Sequence, residues 1–274
     1  MVNSVKDRLN ETDTISEIKL LLGYNKDTVC VVVEGEDDQV LFRPLLAENV
    51  VILQSYASKN GVNDIVKKYF PRNKRVIGIR DKDYSKKSVS TRVFFCDYCC
   101  AEMMIVSIDA CFERLYCGYY KKDAMNINDL KLHCLERLEK LSKYRMLNEQ
   151  FGWHVKFNGI RPSKFYQKDI EKMDEDILDE LNRQNPDNTI NQSREKQCCN
   201  LSKCTSLSDY LNITNGHDFI NLFYKICTGN FGKGGTDAVA NTLRATFGKE
   251  EFQKTELYKS LNTYQKNKQI TIVE

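Results

Sequence analysis

No apolar run in this sequence is long enough to cross a bilayer. The most apolar strand-like stretch, Val29 to Val33, falls far short of the roughly 20 residues a spanning helix needs. The opening, MVNSVKDRLNETDT, lacks the apolar centre of a secretory signal, so the expected location is the cytoplasm, with no membrane partner. The 11 cysteines do not repeat a CxxC pair. They are scattered, odd in number and include the neighbours Cys99/Cys100 and Cys198/Cys199, as reduced thiols acting as small hydrophobes would be. A zinc site drawing on Cys96, Cys99 or Cys100 with Cys198, Cys199 and Cys204 is disfavoured by that spacing. Charge of one sign is not in excess either: a net +3 is too mild to announce nucleic-acid binding. No internal repeat is evident.

What the chain does have is an ordinary globular composition, 41% hydrophobic and 29% charged over 274 residues. A short amphipathic helix, Ser16 to Leu22, with Thr14 as its cap candidate, precedes a regular alternation. Strands are expected at Thr28–Val33, Val50–Gln54, Arg75–Ile79 and Val93–Cys96. Helices are expected at Asp37–Glu48, Val62–Phe70 and Ala101–Tyr116. Apolar strands joined by helices describe βαβ units and an α/β fold with a mostly parallel sheet flanked by helices. Beyond Met125 the periodicity is helical, with Leu132, Leu135, Leu138 and Leu141 as one stripe and Ile170, Met173, Ile177, Leu178 and Leu181 as another. The expected division is therefore 1–125 for the α/β domain with its N-terminal helix and 126–274 for a mainly helical region. Within the latter, Asn, Gln, Ser and Cys with Pro186 mark a loop or insertion near 182–215. A helix resumes at HDFINLFYKI, TGNFGKGG breaks the chain, and another helix is expected over Thr236–Phe247.

The stretch VVVEGEDDQVLF, Val31 to Phe42, crowds Glu34, Glu36, Asp37 and Asp38 against the end of the first strand. In open α/β sheets ligands bind beyond the carboxyl ends of the strands, where Glu34 and, from the third strand, Asp81 and Asp83 are expected. Alternation along an extended segment puts Asp81 and Asp83 on one side, and Asp38, in the first helical turn, can face the same cleft. Two unit charges ~4 Å apart at an effective dielectric near 20 repel by roughly 4 kcal/mol. An unneutralised cluster would hold protons or be costly, and a hard divalent cation removes the penalty. Oxygen donors without a neighbouring histidine indicate Mg2+ or Mn2+. Such ions take one or two carboxylates plus phosphate oxygens, which implicates a phosphorylated substrate. From Arg72 to Arg92, eight basic residues surround just two acids, Asp81 and Asp83. The alternatives are plain ones: Glu36 and Asp37 suit a helix start, and the basic run suits a solvated loop.

These residues also carry a family likeness. VVVEGEDD followed by VIGIRDKDY, a strand ending in Glu-Gly with an acid four residues past the Glu and then a strand ending in Asp-x-Asp, resembles the Toprim domain of topoisomerases, bacterial primases and the overcoming-lysogenization-defect nucleases. QSYASKNGVNDIVKKY is similar to the Toprim turn that carries a lysine, here Lys59, although glycines commonly precede that lysine and this chain has Ser58. FFCDYCCAEMMI resembles a segment of stand-alone Toprim proteins with a further acid, here Glu102, and NGHDFINLFYKI resembles their C-terminal helix. The likeness covers Thr28 to about Tyr116 well, and is nearest to small Toprim nucleases encoded beside an ABC-type ATPase in anti-phage defence, as in PARIS systems.

The resemblance implies a metal-dependent endonuclease, toxic when released, acting on host tRNA or phage nucleic acid, RNA or DNA, with an ABC-type ATPase partner. Homodimerisation is left open. It implies that Asp81 and Asp83 bind metal, that Glu34 is a ligand or orients the attacking water, and that Asp38 and Glu102 complete the site. Lys59, with Lys82, would neutralise the phosphate as it becomes five-coordinate. The competing readings are a non-catalytic Toprim module that binds an ATPase or nucleic acid, and a phosphoacceptor receiver domain, which the second acid on the third strand disfavours. His217 reads as a cap or packed polar residue, Trp153 as core, and the Tyr119–Lys122 cluster as a helix end.

Overall fold

The computed structural model describes residues 10–122, 124–167, 169–229 and 233–274. The first nine residues and the middle of the TGNFGKGG break lie outside them. In chain order the elements are α1 (Glu11–Tyr24), β1 (Val29–Val33), α2 (Glu36–Phe42), β2 (Val50–Gln54), α3 (Ser58–Asp64, continued by a π-helical turn over Ile65–Tyr69), β3 (Val76–Arg80) and β4 (Val93–Phe95). There follow α4 (Ala101–Val106), α5 (Asp109–Tyr119), α6 (Ile127–Phe151), α7 (Pro162–Phe165), α8 (Ile170–Gln184), α9 (Gln192–Cys199), α10 (Leu207–Ile213), α11 (Gly216–Thr228), α12 (Lys233–Ala245), α13 (Lys249–Phe252) and α14 (Glu256–Lys268).

The chain divides into two compact units, one of residues 1–97 with 247–274 and one of residues 98–246. The division thus falls near 97 and 246 rather than at 125. In the first unit the four strands are all parallel in the order β2-β1-β3-β4, with Val32 paired to Gly78 and Arg80 to Phe95. Every residue of β1 and β3 is buried, as central strands covered on both faces require. Gly78 carries no Cβ because one would press on Val62 of α3, so the helix sits close on the sheet. Ile15, Ile18 and Leu22 of α1 and Val62, Ile65 and Val66 of the α3 segment pack with Cys30, Val32 and Val76 in one core.

The C-terminal segment belongs to this unit because α14 closes the β4 edge. Tyr264 meets Phe94 edge to face at 5.5 Å and donates its hydroxyl to the Lys74 carbonyl at 3.0 Å. Asp97 accepts the Glu256 and Leu257 amides at 2.8 and 2.9 Å, capping α14 from a distant point of the chain.

Local departures from expectation have local causes. Asn10, not Thr14, caps α1, accepting the Asp13 amide at 2.8 Å. The helix expected over Asp37–Glu48 stops at Phe42, with Arg43 still in helical backbone, because Pro44 has no amide hydrogen to continue the i→i−4 bonds. The helix expected over Ala101–Tyr116 breaks at Ser107, whose hydroxyl bonds back to the Met104 carbonyl at 2.6 Å.

The second unit is helical. Leu130, Leu135, Leu138 and Leu141 of α6 are buried, whereas Leu132, expected in that stripe, is 39% exposed. Phe112, Phe219 and Phe223 form an aromatic cluster with centroids about 6 Å apart. Arg145 grips buried Asp218 through two bonds of 2.7 and 3.0 Å. The segment read as a loop at 182–215 contains α9 and α10, each begun by a side-chain cap, Asn191 and Ser206. No helix among the described residues is long and apolar enough to cross a membrane.

Candidate active site at the β1 and β3 strand ends

The chain runs from β1 outward to β2, then crosses back to β3, so the sheet's topological switch point lies between β1 and β3. There adjacent loops leave in opposite directions and open a crevice. Because Val32 pairs with Gly78, Glu34 emerges level with Arg80 and next to Asp81. The Asp81 amide donates to Glu34 Oε1 at 3.1 Å, joining positions 47 residues apart. Burial, then the nearby carboxylates of Asp83 and Asp38, push the Glu34 carboxyl up from its ordinary 4.5 to about 7.

Asp83 reaches the site by a route the alternation argument did not anticipate. The strand ends at Arg80, and Asp83 sits in a turn with φ 47°, spanned by the Ser85 amide bond to the Lys82 carbonyl at 2.9 Å. Its carboxylate pairs with Lys59 Nζ at 3.0 Å. Lys59 itself leads α3 from the end of β2, immediately after Ser58 at φ 43°. Ser58 thus holds the left-handed conformation for which glycine is the default. The Ser55 hydroxyl donates to its carbonyl at 2.6 Å and braces the turn.

Asp38 has a second occupation. Its carboxylate accepts the Gly35 amide at 3.0 Å at the start of α2, the acid of a helix-capping arrangement, while remaining close enough to raise Glu34. Glu36 and Asp37 occupy the same first turn, where the helix dipole favours acids. Glu102 lies in the other unit, in the first turn of α4, and packs against the backbone of Gly216 at the start of α11, so a side chain at 216 would collide with it.

Two residues outside the expected set of acids and Lys59 complete the surroundings. Arg80, 5% exposed, donates to the Asp81 carbonyl at 2.9 Å and the Ser85 hydroxyl at 3.3 Å while its guanidinium lies 4.6 Å from the centre of the Phe95 ring. Cys96, buried just past β4, hydrogen-bonds through its thiol to the Asp81 side chain, and burial with the adjacent carboxylates keeps that thiol protonated. The signal for Arg80 was an arginine inside an otherwise apolar strand; Cys96 had none.

The basic run is less available than its composition suggested. Arg92 is buried and donates to the carbonyls of Asn73, Val76, Val66 and Pro71 at 2.7–2.9 Å. Arg75 donates to those of Leu22, Asn25 and Thr28, and Lys74 to that of Lys268. These cations are structural, whereas Lys86 and Lys87 are exposed.

Elsewhere, Tyr120 is buried and Tyr119, half-buried, contacts the Thr242 hydroxyl at 3.1 Å, while Lys121 and Lys122 are exposed at the end of α5, Lys122 donating to the Ile226 carbonyl. Trp153 is core, and Asn215, not His217, caps α11. The cysteines are free thiols.

Among the described residues no three His, Cys, Asp or Glu side chains are arranged to hold a metal ion. The donor chemistry at the strand ends nevertheless suits a hard divalent cation: Glu34, Asp81 and Asp83 are oxygen donors, and Glu34 feels two like charges that such an ion would offset. Their side chains are engaged otherwise, with Lys59, the Cys96 thiol and the Asp81 amide. No family model, curated protein or solved structure matches this chain.

Proposed function

We propose that this chain is a Mg2+- or Mn2+-dependent nuclease of the Toprim kind, hydrolysing phosphodiester bonds in the cytoplasm as the toxic effector of an anti-phage defence system. Host tRNA or another nucleic acid is the substrate, and an ABC-type ATPase is the partner. The reading is supported by one observation above others: Glu34, from the end of β1, is bonded to the Asp81 amide at the end of β3 and is electrostatically coupled to Asp83, at the switch point where α/β sheets take their ligands.

A bound Mg2+ or Mn2+ would supply charge neutralisation at the phosphate and acidify water. Asp81, Asp83 and Glu34 would hold it. Glu34, whose carboxyl is pushed up to about 7 in the metal-free chain by burial and its acidic neighbours, would serve as a ligand or orient the attacking water. Lys59 would offset charge developing on the phosphate oxygens, and Arg80 and Cys96 position the Asp81 backbone and carboxylate.

Incubation of the purified protein with cellular RNA and with plasmid DNA in Mg2+ or Mn2+ tests this, with end-sequencing of the products. Glu34→Gln and Asp81→Asn are each expected to abolish cleavage with the fold intact; cleavage retained in both variants refutes the assignment. The existing engagement of each carboxylate favours, as a second reading, a non-catalytic module that binds nucleic acid or an ATPase. Calorimetric titration with Mn2+ separates the two, since that module should give no binding heat.

A further inference from the structure

We propose that the helical unit holds a binding site for a guanine nucleotide, in a cleft bounded by α6, α8, α9 and the segment that follows α9, with Asp174 taking the base and Lys203 the phosphate. The proposal stands apart from the nuclease reading and uses none of the strand-end residues.

The cleft has a volume of about 410 Å³, within the roughly 300–1,000 Å³ that small-molecule sites occupy. Its walls are of two kinds. Ile170, Leu201 and buried Cys198 give an apolar surface on which a flat ring can lie, and Lys140, Lys203 and Asp174 supply charge. Asp174 decides the ligand. Glu139, the neighbouring acid in the cleft, is already engaged, with Lys143 Nζ at 2.6 Å and the Cys204 amide at 3.0 Å. Further along the helix of Asp174, Asp176 pairs with Lys172 and accepts from the Gln167 amide. Asp174 itself accepts no hydrogen bond and forms no ion pair among the described residues. Its carboxyl is half-buried, and burial, partly relieved by Lys140, pushes it up from its ordinary 3.8 to about 6. A carboxylate drawn out of water in this way is stabilised by N–H donors on a ligand.

A second unmet hydrogen-bonding group lies at the inner end of the cleft. Tyr144 is 1% exposed and its hydroxyl has no partner among the described residues. It follows Glu136 and Lys140, both lining residues, on one face of α6. After burial itself, the groups that most raise its hydroxyl are Cys198, Glu195, Asp174 and Cys199, so that hydroxyl is directed at the wall where α8 and α9 meet the cleft.

Guanine matches this set. Its N1–H and 2-amino group are adjacent donors that one carboxylate accepts side by side, and its ring suits the apolar wall; adenine has no such pair of donors. Lys203, exposed at the rim, and Lys140, held by Glu195 only at 3.4 Å, are placed for the phosphate.

The test is calorimetric titration of the full chain, in chelator and at mildly alkaline pH, with GMP, IMP, AMP and guanosine. Wild type, Asp174→Asn and Lys203→Met are compared, and thermal melts check folding. GMP is expected to bind wild type at least about tenfold more tightly than AMP or IMP, which lacks the 2-amino donor. Asp174→Asn should weaken GMP by a similar factor, and Lys203→Met should weaken GMP while leaving guanosine unchanged. Equal binding of the three nucleotides to wild type, a comparison that needs no variant to fold, would overturn the guanine assignment. GMP binding unchanged in Asp174→Asn would place the nucleotide elsewhere and overturn this site, as would no binding of GMP at all. Equal weakening of GMP and guanosine by Lys203→Met would overturn the phosphate contact.

Discussion

Replacing Glu34 by Gln is expected to make the metal-free protein more stable while destroying the proposed activity. The Glu34 carboxyl lies at about 7 in the folded chain against an ordinary 4.5. Between those pH values the folded state holds a proton that the unfolded chain has released, so stability falls as pH rises through this window. Below about 4.5 both states are protonated and no penalty applies; above about 7 the charge is carried beside Asp83 and Asp38 at its full cost. At roughly 1.4 kcal/mol per tenfold, and allowing for partial solvent screening of a half-buried group, that cost is about 2–3 kcal/mol. Gln keeps an oxygen for the Asp81 amide and loses the charge. Thermal melts in chelator should therefore place Glu34→Gln on the order of 5–10 °C above wild type at pH 8, with the difference vanishing near pH 4. Millimolar Mn2+ should raise the wild-type midpoint and leave that of the variant in place. A variant no more stable than wild type at pH 8 in chelator would refute the idea that Glu34 is held in place against its electrostatics.

Arg92→Met removes four carbonyl partners from a buried site and is expected to destabilise by at least about 4 kcal/mol in denaturant titration. Arg92→Lys should recover only part, since an ammonium lacks the forked geometry, and a loss under about 1 kcal/mol for Met would contradict the structural role assigned to this residue. Ser58→Gly relieves a left-handed strain and should gain on the order of 0.5–1 kcal/mol, net of the entropy glycine adds to the unfolded chain. Chemical denaturation that shows Ser58→Gly to be clearly destabilised would count against that account.

The acid positions were legible because strand ends are. Runs such as VVV before Glu34 and VIGI before Arg80 are buried on both faces, and the residues just past such a run in a parallel sheet emerge at its carboxyl edge. The reason given for Asp81 and Asp83 sharing a side did not hold, because the strand stops one residue before Asp81 and the chain turns. The basic run misled for a related cause: sequence records a charge but not the carbonyls that claim it, and Arg75 and Arg92 are spent inside the fold. The end of α2 is written locally, in Pro44, whose missing amide hydrogen ends the helical bonding despite the apolar pattern that runs on past it.

By itself the sequence determined a parallel sheet with helices between its strands and acids at the edges of β1 and β3, since burial period and strand termini are local properties of the chain. Tertiary structure decided the order β2-β1-β3-β4, the return of α14 to the β4 edge, and the partner each acid takes, Lys59 for Asp83, the Gly35 amide for Asp38 and the Asp81 amide for Glu34. Those choices depend on which groups meet across tens or hundreds of residues. An ion pair or hydrogen bond is fixed by distance in space, and no local pattern encodes it.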